Sequence, residues 1–260
     1  MSAKEHFKVI KFARIIVLLA LGVILGCAGV ERLIIHNLAK QVDDLNEVDM
    51  LKSATHAVSL MSRDRDVLLP FDQAPGYVVP PLSPILYMGV FGQGECGFAS
   101  EVEVRLLRKL GFEAHILQIL NDQGTVAHVV VECCGSQGCF VADPLFDHVY
   151  LTPDEGPIGI DVLVQNWGAY IEDCPNVSLR RYPFHHGMQR TNWKKGGAIG
   201  RFCYQLGVFG VGTKVMENIS LREFFPGFYI TRIIFIVFCL TVLTIVQRGL
   251  GTRVNLDNES

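Results

Sequence analysis

Net charge is almost absent from this chain: 23 Lys and Arg against 26 Asp and Glu leave −3 with histidine neutral. No lysine-rich or arginine-rich face stands out, so the electrostatic footprint of a nucleic-acid binder is missing and no nucleic-acid partner is expected. There is no internal repeat, which excludes solenoids and propellers, and no low-complexity tract. What the chain does have in excess is apolar surface. Half of its 260 residues are hydrophobic and its mean hydropathy is positive. That length supports one or two domains and a real core, and two apolar blocks near the ends account for the excess.

The first block covers residues 15–30 without a charge and follows Lys4, Lys8, Lys11 and Arg14. It is slightly short of the roughly 20 residues a span requires. Phe12-Ala13 and Leu33-Ile34-Ile35 extend it if Arg14, Glu31 and Arg32 snorkel. We read 15–35 as an uncleaved signal anchor. A cleaved secretory signal is the alternative, or a lipoprotein processed at Ile24-Leu25-Gly26-Cys27 with Cys27 lipidated. The second block, 228–246, is broken only by Thr231 and Arg232 near its start, after Pro226-Gly227, and 226–247 reads as a second span. Lys and Arg in the short tails, 1–14 and 248–260, place both termini in the cytoplasm and the roughly 200 residues between the spans on the other side. The expectation is a two-pass protein of the cell membrane with a periplasmic or extracellular domain.

Between the spans, residues 31–69 carry apolar side chains at helical spacing (Leu38, Val42, Leu45, Val48, Leu51), as a stalk or as one more core helix. Five prolines in 70–84 make an extended connector that cannot be helical, so 36–84 is helix plus connector. Residues 98–110 have helical spacing, with Gly111 as a stop signal. Strands follow at 112–120, 125–133 and 139–143, separated by Asn121-Asp122-Gln123-Gly124 and Gly135-Ser136-Gln137-Gly138. Residues 85–160 thus read as one helix against an antiparallel sheet, an α+β core. Residues 160–173 suggest another helix, and 161–225 form an extension whose stretch 175–212 shows little periodicity. Asn176-Val177-Ser178 and Asn218-Ile219-Ser220 are glycosylation sequons only in a eukaryotic secretory pathway.

The chemistry gathers at Gly92-Gln93-Gly94-Glu95-Cys96-Gly97, where a cysteine between glycines opens a helix. A thiol attacks a carbonyl as thiolate, and the unpaired N–H groups and dipole of a helix N-terminus favour the anion. An imidazole then holds the thiolate as an ion pair and later protonates the leaving group. His128, on a strand, is the candidate. Asp143 on the next strand would fix the tautomer and steady the imidazolium. The backbone N–H of Cys96 and the amide of Gln93 are the candidate oxyanion donors. Each residue has a plainer reading: Cys96 as a buried structural thiol, His128 as a core histidine, Asp143 as the start of a turn at Pro144, Gln93 as a solvated loop residue. His115, Asp147 and His148 compete for the same roles and read as surface residues.

Gly94-Glu95-Cys96-Gly97-Phe98-Ala99, Ala127-His128-Val129 and Ala142-Asp143-Pro144, in that order, resemble the three core motifs of the transglutaminase-like cysteine superfamily. The resemblance covers about 92–147 and implies Cys96 as nucleophile, His128 as base and Asp143 as orienting residue. Glycine and phenylalanine follow the cysteine where animal transglutaminases carry tryptophan, which points to hydrolysis rather than cross-linking. No calcium-binding loop is present, so neither a metal nor a cofactor is expected. The implied enzyme cleaves or exchanges an amide, isopeptide or ester bond of a protein, peptide or envelope polymer. The alternatives are a catalytically silent, membrane-tethered binding or assembly module, with a membrane-protein partner, and a redox sensor using Cys133, Cys134 and Cys139.

Of eight cysteines, Cys27 and Cys239 lie in the apolar blocks. In an oxidising compartment Cys134–Cys139 and Cys174–Cys203 are plausible disulfides. A zinc site of Cys133, Cys134, Cys139 and His185 or His186 is the rival, although the spacing matches no knuckle.

Overall fold

The computed structural model describes residues 3–63, 96–173, 184–191, 193, 197–219, 236–237, 239–242 and 244. The proline-rich connector, Gln93, Cys174, the Asn176 sequon and most of the second apolar block lie outside the described residues. The chain divides into two units, Met1–Val30 with Phe225–Ser260, and Glu31–Phe224.

The first unit contributes the N-terminal part of helix α1 (Ala3–Val42, 40 residues). From Ile15 to Val42 it is long and apolar enough to cross a membrane, and Ile15, Ile16, Leu18, Leu19, Val23 and Leu25 are all exposed on it. At about 1.5 Å per residue, twenty such residues cover the roughly 30 Å of a bilayer core.

In the second unit the same helix becomes part of a core. Glu31 does not snorkel as its position at the span's edge suggests: it is buried and ion-paired with Arg105. Ile35, Ala39 and Val42 recur at three to four residues and are buried. The single helix expected over 31–69 is two. The break falls at 43–46, and α2 (Glu47–Arg63) begins afterwards. Asn46 is the reason: its Oδ1 accepts the Asp49 backbone N–H at 3.0 Å and its Nδ2 donates to the Asp49 carboxylate at 2.7 Å, a reciprocal N-cap. Leu45, read as part of the apolar stripe, sits in the break and is exposed. Leu51, Ala54 and Val58 of α2 are fully buried, so α2 is a core helix.

Helix α3 (Cys96–Lys109) stops at Gly111, whose φ of +96° lets the Phe112 N–H reach back to the Leu107 carbonyl at 3.0 Å. Strands β1 (Glu113–Leu120), β2 (Val126–Gly135), β3 (Gly138–Asp143), β4 (His148–Tyr150) and β5 (Met188–Gln189) form an antiparallel sheet in the order β4-β3-β2-β1-β5. The β2–β3 turn is pinned by Glu47 of α2, which accepts the Ser136 and Gln137 backbone N–H groups at 2.8 and 3.0 Å.

Both faces of the sheet are covered, which explains why β2 is a near-continuous valine run. Val129, Val131, Cys133, Phe140 and Ala142 face α1, α2 and α3; Val130, Val141 and Leu117 face Tyr150, Leu163, Trp167 and Phe184. The expected picture of one helix on a sheet is therefore incomplete: three helices lie on one side and an aromatic layer on the other. That layer comes from the region where periodicity is weak. Its helix expected at 160–173 is interrupted at Asn166 into α4 (Ile160–Gln165) and α5 (Trp167–Asp173). Two further helices follow, α6 (Gly197–Val211) and α7 (Thr213–Asn218), the latter ending on the second sequon's asparagine.

Because the Gly111 conformation lies in the left-handed region, Gly111→Ala is expected to lower the stability of the detergent-solubilised chain by about 1 kcal/mol. Denaturant titration reads this, and an unchanged midpoint would refute the positive-φ argument.

Candidate active site

Cys96 is the first residue of α3, and no acidic side chain in the first turn offsets the positive end of that helix. The Cys96 thiol is free and half-buried. Ser100, one turn on, donates its hydroxyl to the Val129 carbonyl at 3.2 Å, fastening the start of α3 to β2 beside His128.

His128 is buried, and its Nε2 lies 2.6 Å from Asp143 Oδ2. Cys96 hydrogen-bonds the same imidazole, and Nδ1 is the ring nitrogen that the Asp143 bond leaves for it. Burial pulls the imidazole toward its neutral form. The charge and hydrogen bond of Asp143, then those of Cys96, outweigh burial and raise its pKa from 6.5 to about 9. At neutral pH the ring is imidazolium.

Asp143 is fully buried yet well supplied with donors. Its Oδ1 accepts the Leu145 and Phe146 backbone N–H groups, both at 3.2 Å, while Oδ2 takes the imidazole. The turn at Pro144 and the carboxylate's role toward His128 are thus one arrangement. Phe146, fixed by that turn, packs on the His128 ring at 5.3 Å between centroids. The imidazole meets Cys96, which borders the helix-side core, and Phe146, which borders the opposite one.

The competing residues are engaged elsewhere. His115 pairs with Glu113 at 3.3 Å, Asp147 with His56 of α2 at 2.8 Å, and His148 with the Tyr170 hydroxyl at 3.1 Å. They do not all read as surface groups: His148 is half-buried in the aromatic layer, and burial lowers its pKa despite the charges of Asp143 and Asp147. Gln93 lies outside the described residues, so the Cys96 backbone N–H is the one expected oxyanion donor that can be placed. By its position at the helix start it has no intrahelical acceptor.

The residue missed in sequence is Glu103. It stands at the seventh position after Cys96 on α3, as Ser100 stands at the fourth, and that shared helical face was the available signal. Glu103 is fully buried with Oε1 2.5 Å from Thr55 Oγ1, and Oε2 has no hydrogen-bond partner. Thr55 Oγ1 is also 2.9 Å from the Leu51 carbonyl. A hydroxyl has one proton to give, so with the carbonyl as acceptor the Thr55–Glu103 contact is satisfied when Glu103 carries the proton. The electrostatics agree: burial, opposed by Thr55 and reinforced by Asp143 and Asp147, pushes Glu103 up to about 8.

Cys134 and Cys139, opposed across β2 and β3, form the expected disulfide, which removes both from any zinc site. Cys203 is a free, exposed thiol, so its expected pairing with Cys174 is not formed. Cys133 is a free thiol, and burial raises its pKa well above the usual value. Among the described residues, no three His, Cys, Asp or Glu side chains converge as a metal site. A hollow lined by Glu47, Met50, Leu110 and Cys134 lies at the far end of α3 from Cys96 and contains none of the site residues.

Two site groups titrate in the same sense. The His128 value is raised above 6.5, so its contribution to stability is full below 6.5 and lost as pH rises through about 9. Glu103 is raised above 4.5, so its contribution is full below 4.5 and lost through about 8. Glu132 is raised as well, while Glu47 and His148 are lowered and act in the opposite sense. The comparison is therefore between variant and parent: as pH rises from 4.5 to 8, Glu103→Gln should lose less stability than the parent, read from denaturant midpoints. The same pH slope in variant and parent would show that Glu103 is ionised in the fold.

No protein family, curated protein or solved structure among those compared with the chain matches it.

Proposed function

We propose that the chain is a membrane-anchored, transglutaminase-like cysteine hydrolase or acyltransferase, acting outside the cytoplasm on an amide, isopeptide or ester bond. The observation that carries this reading is the continuous chain Asp143–His128–Cys96, with the imidazolium bonded to a fully supplied carboxylate on one side and to a helix-start thiol on the other. A sulfur anion there attacks the substrate carbonyl and forms a C–S bond. The oxyanion falls beside the Cys96 N–H. His128 gives its proton to the leaving amine or alcohol as that bond breaks, leaving a thioester. His128 then takes a proton from water, or from an acceptor amine, as it attacks the thioester, and the thiolate returns. Asp143 holds the ring throughout. Glycine and phenylalanine after Cys96 favour water as the acceptor.

The membrane placement rests on α1 and on the apolar block at 228–246, with basic residues in both tails favouring cytoplasmic termini. The Cys134–Cys139 disulfide favours an oxidising compartment for the domain. A binding module that keeps the fold without turnover is the second reading, motivated by the two apolar blocks and the long extension after residue 160.

The test uses glutathione added to the same solution as the reference thiol. Iodoacetamide at neutral pH, followed by peptide mass spectrometry, should alkylate Cys96 at least about tenfold faster than glutathione. His128→Ala should bring Cys96 down to the glutathione rate or below it. Equal rates in the parent chain would mean that no activated thiolate exists, and the binding-module reading would replace the enzyme.

A further inference from the structure

Helix α6 is built inside out for a water-soluble domain. Phe202, Leu206 and Phe209 recur at four and three residues, so they form one stripe, and they are 60%, 56% and 92% exposed. Where α6 meets Trp193 and Met216, it does so at glycines. A Cβ on Gly200 would overlap the Trp193 backbone, and one on Gly207 would overlap the Met216 side chain. Leaving two phenylalanines and a leucine uncovered costs hydrophobic free energy in water.

We propose that α6 is an interfacial membrane helix, seated in the boundary between lipid headgroups and acyl chains through Phe202, Leu206 and Phe209. This rests on the reading that the chain is membrane-anchored, and not on the thiol chemistry. The helix has 15 residues, about 22 Å of length, which is too short to cross a bilayer but suited to lying in its surface. Its sequence contains no acidic residue. Its one charge is Arg201; in the sequence Lys194-Lys195 precede it and Lys214 and Glu217 follow, a basic excess suited to anionic headgroups. Trp193 and Tyr204 pack ring to ring at 5.8 Å beside it, the residue types that favour the membrane–water boundary. The second apolar block begins 17 residues after Val211, so the chain must return to the bilayer soon after this helix.

The experiment places one tryptophan at a time in the full chain, reconstituted in phosphatidylcholine–phosphatidylglycerol vesicles whose acyl chains carry bromine. Phe209→Trp reports on α6, Leu19→Trp on the proposed span, and Val162→Trp on an exposed site of α4. For Phe209→Trp, the emission added relative to the parent should be blue-shifted and quenched by brominated lipid at least about twofold more than that of Val162→Trp. The effect should not change with protein-to-lipid ratio. Quenching of the added emission by aqueous acrylamide instead overturns the proposal. So does protection that appears only at high protein-to-lipid ratio, which would identify a second copy as the cover. If Leu19→Trp is quenched by lipid while Phe209→Trp is not, the interfacial helix fails and the span stands. If neither is quenched, the membrane reading itself fails with it.

Discussion

Burial removes water from His128, and by itself that favours a neutral ring. Keeping an imidazolium there takes a carboxylate at 2.6 Å and a thiol on the other nitrogen. The carboxylate must in turn remain an anion inside the protein. Asp143 manages this because the turn it opens at Pro144 folds the Leu145 and Phe146 N–H groups onto its second oxygen. Truncating any member would leave a buried charge without its partner, which is more costly than never having built the pair. Much of the surrounding fold serves this requirement. The two-sided sheet excludes water from the pair, and the Ser100 hydroxyl fixes the start of α3 against β2.

A second buried acid lies close by and is held in the opposite state. Asp143 receives three donors, while Glu103 has one shared hydroxyl and no partner for its other oxygen. Two anions at short range inside a low-dielectric core would repel strongly. The neutral state of Glu103 at neutral pH spares Asp143 that repulsion and leaves its charge directed at His128. One carboxyl is thereby set as the anion of the site and the other as packing, by environment alone.

The same economy appears at the boundary of the domain. Apolar side chains that a soluble protein would bury are exposed on α1 and on α6, and they are exposed in stripes. On α1 the apolar surface gives way at Glu31 to a buried ion pair with Arg105, so one helix changes from an apolar exterior to a protein core within a turn.

What the sequence determined by itself was local. Its alternating and helical periods located α3 and the three long strands to within about two residues, because both signals come from neighbours along one element. The order of a cysteine at a helix start, a histidine on one strand and an aspartate on the next was enough to nominate Cys96, His128 and Asp143. The Asn46 cap that ends the run from α1, the aromatic cover from Trp167 and Phe184, the proton on Glu103 and the packing of Phe146 on His128 were decided by tertiary structure. Each depends on groups distant in sequence. Thr55 lies 48 residues from Glu103, and the aromatic layer draws on a stretch with little period of its own. Protonation and burial belong to the assembled environment, since they follow from desolvation and charge summed over elements that meet only when the chain has folded.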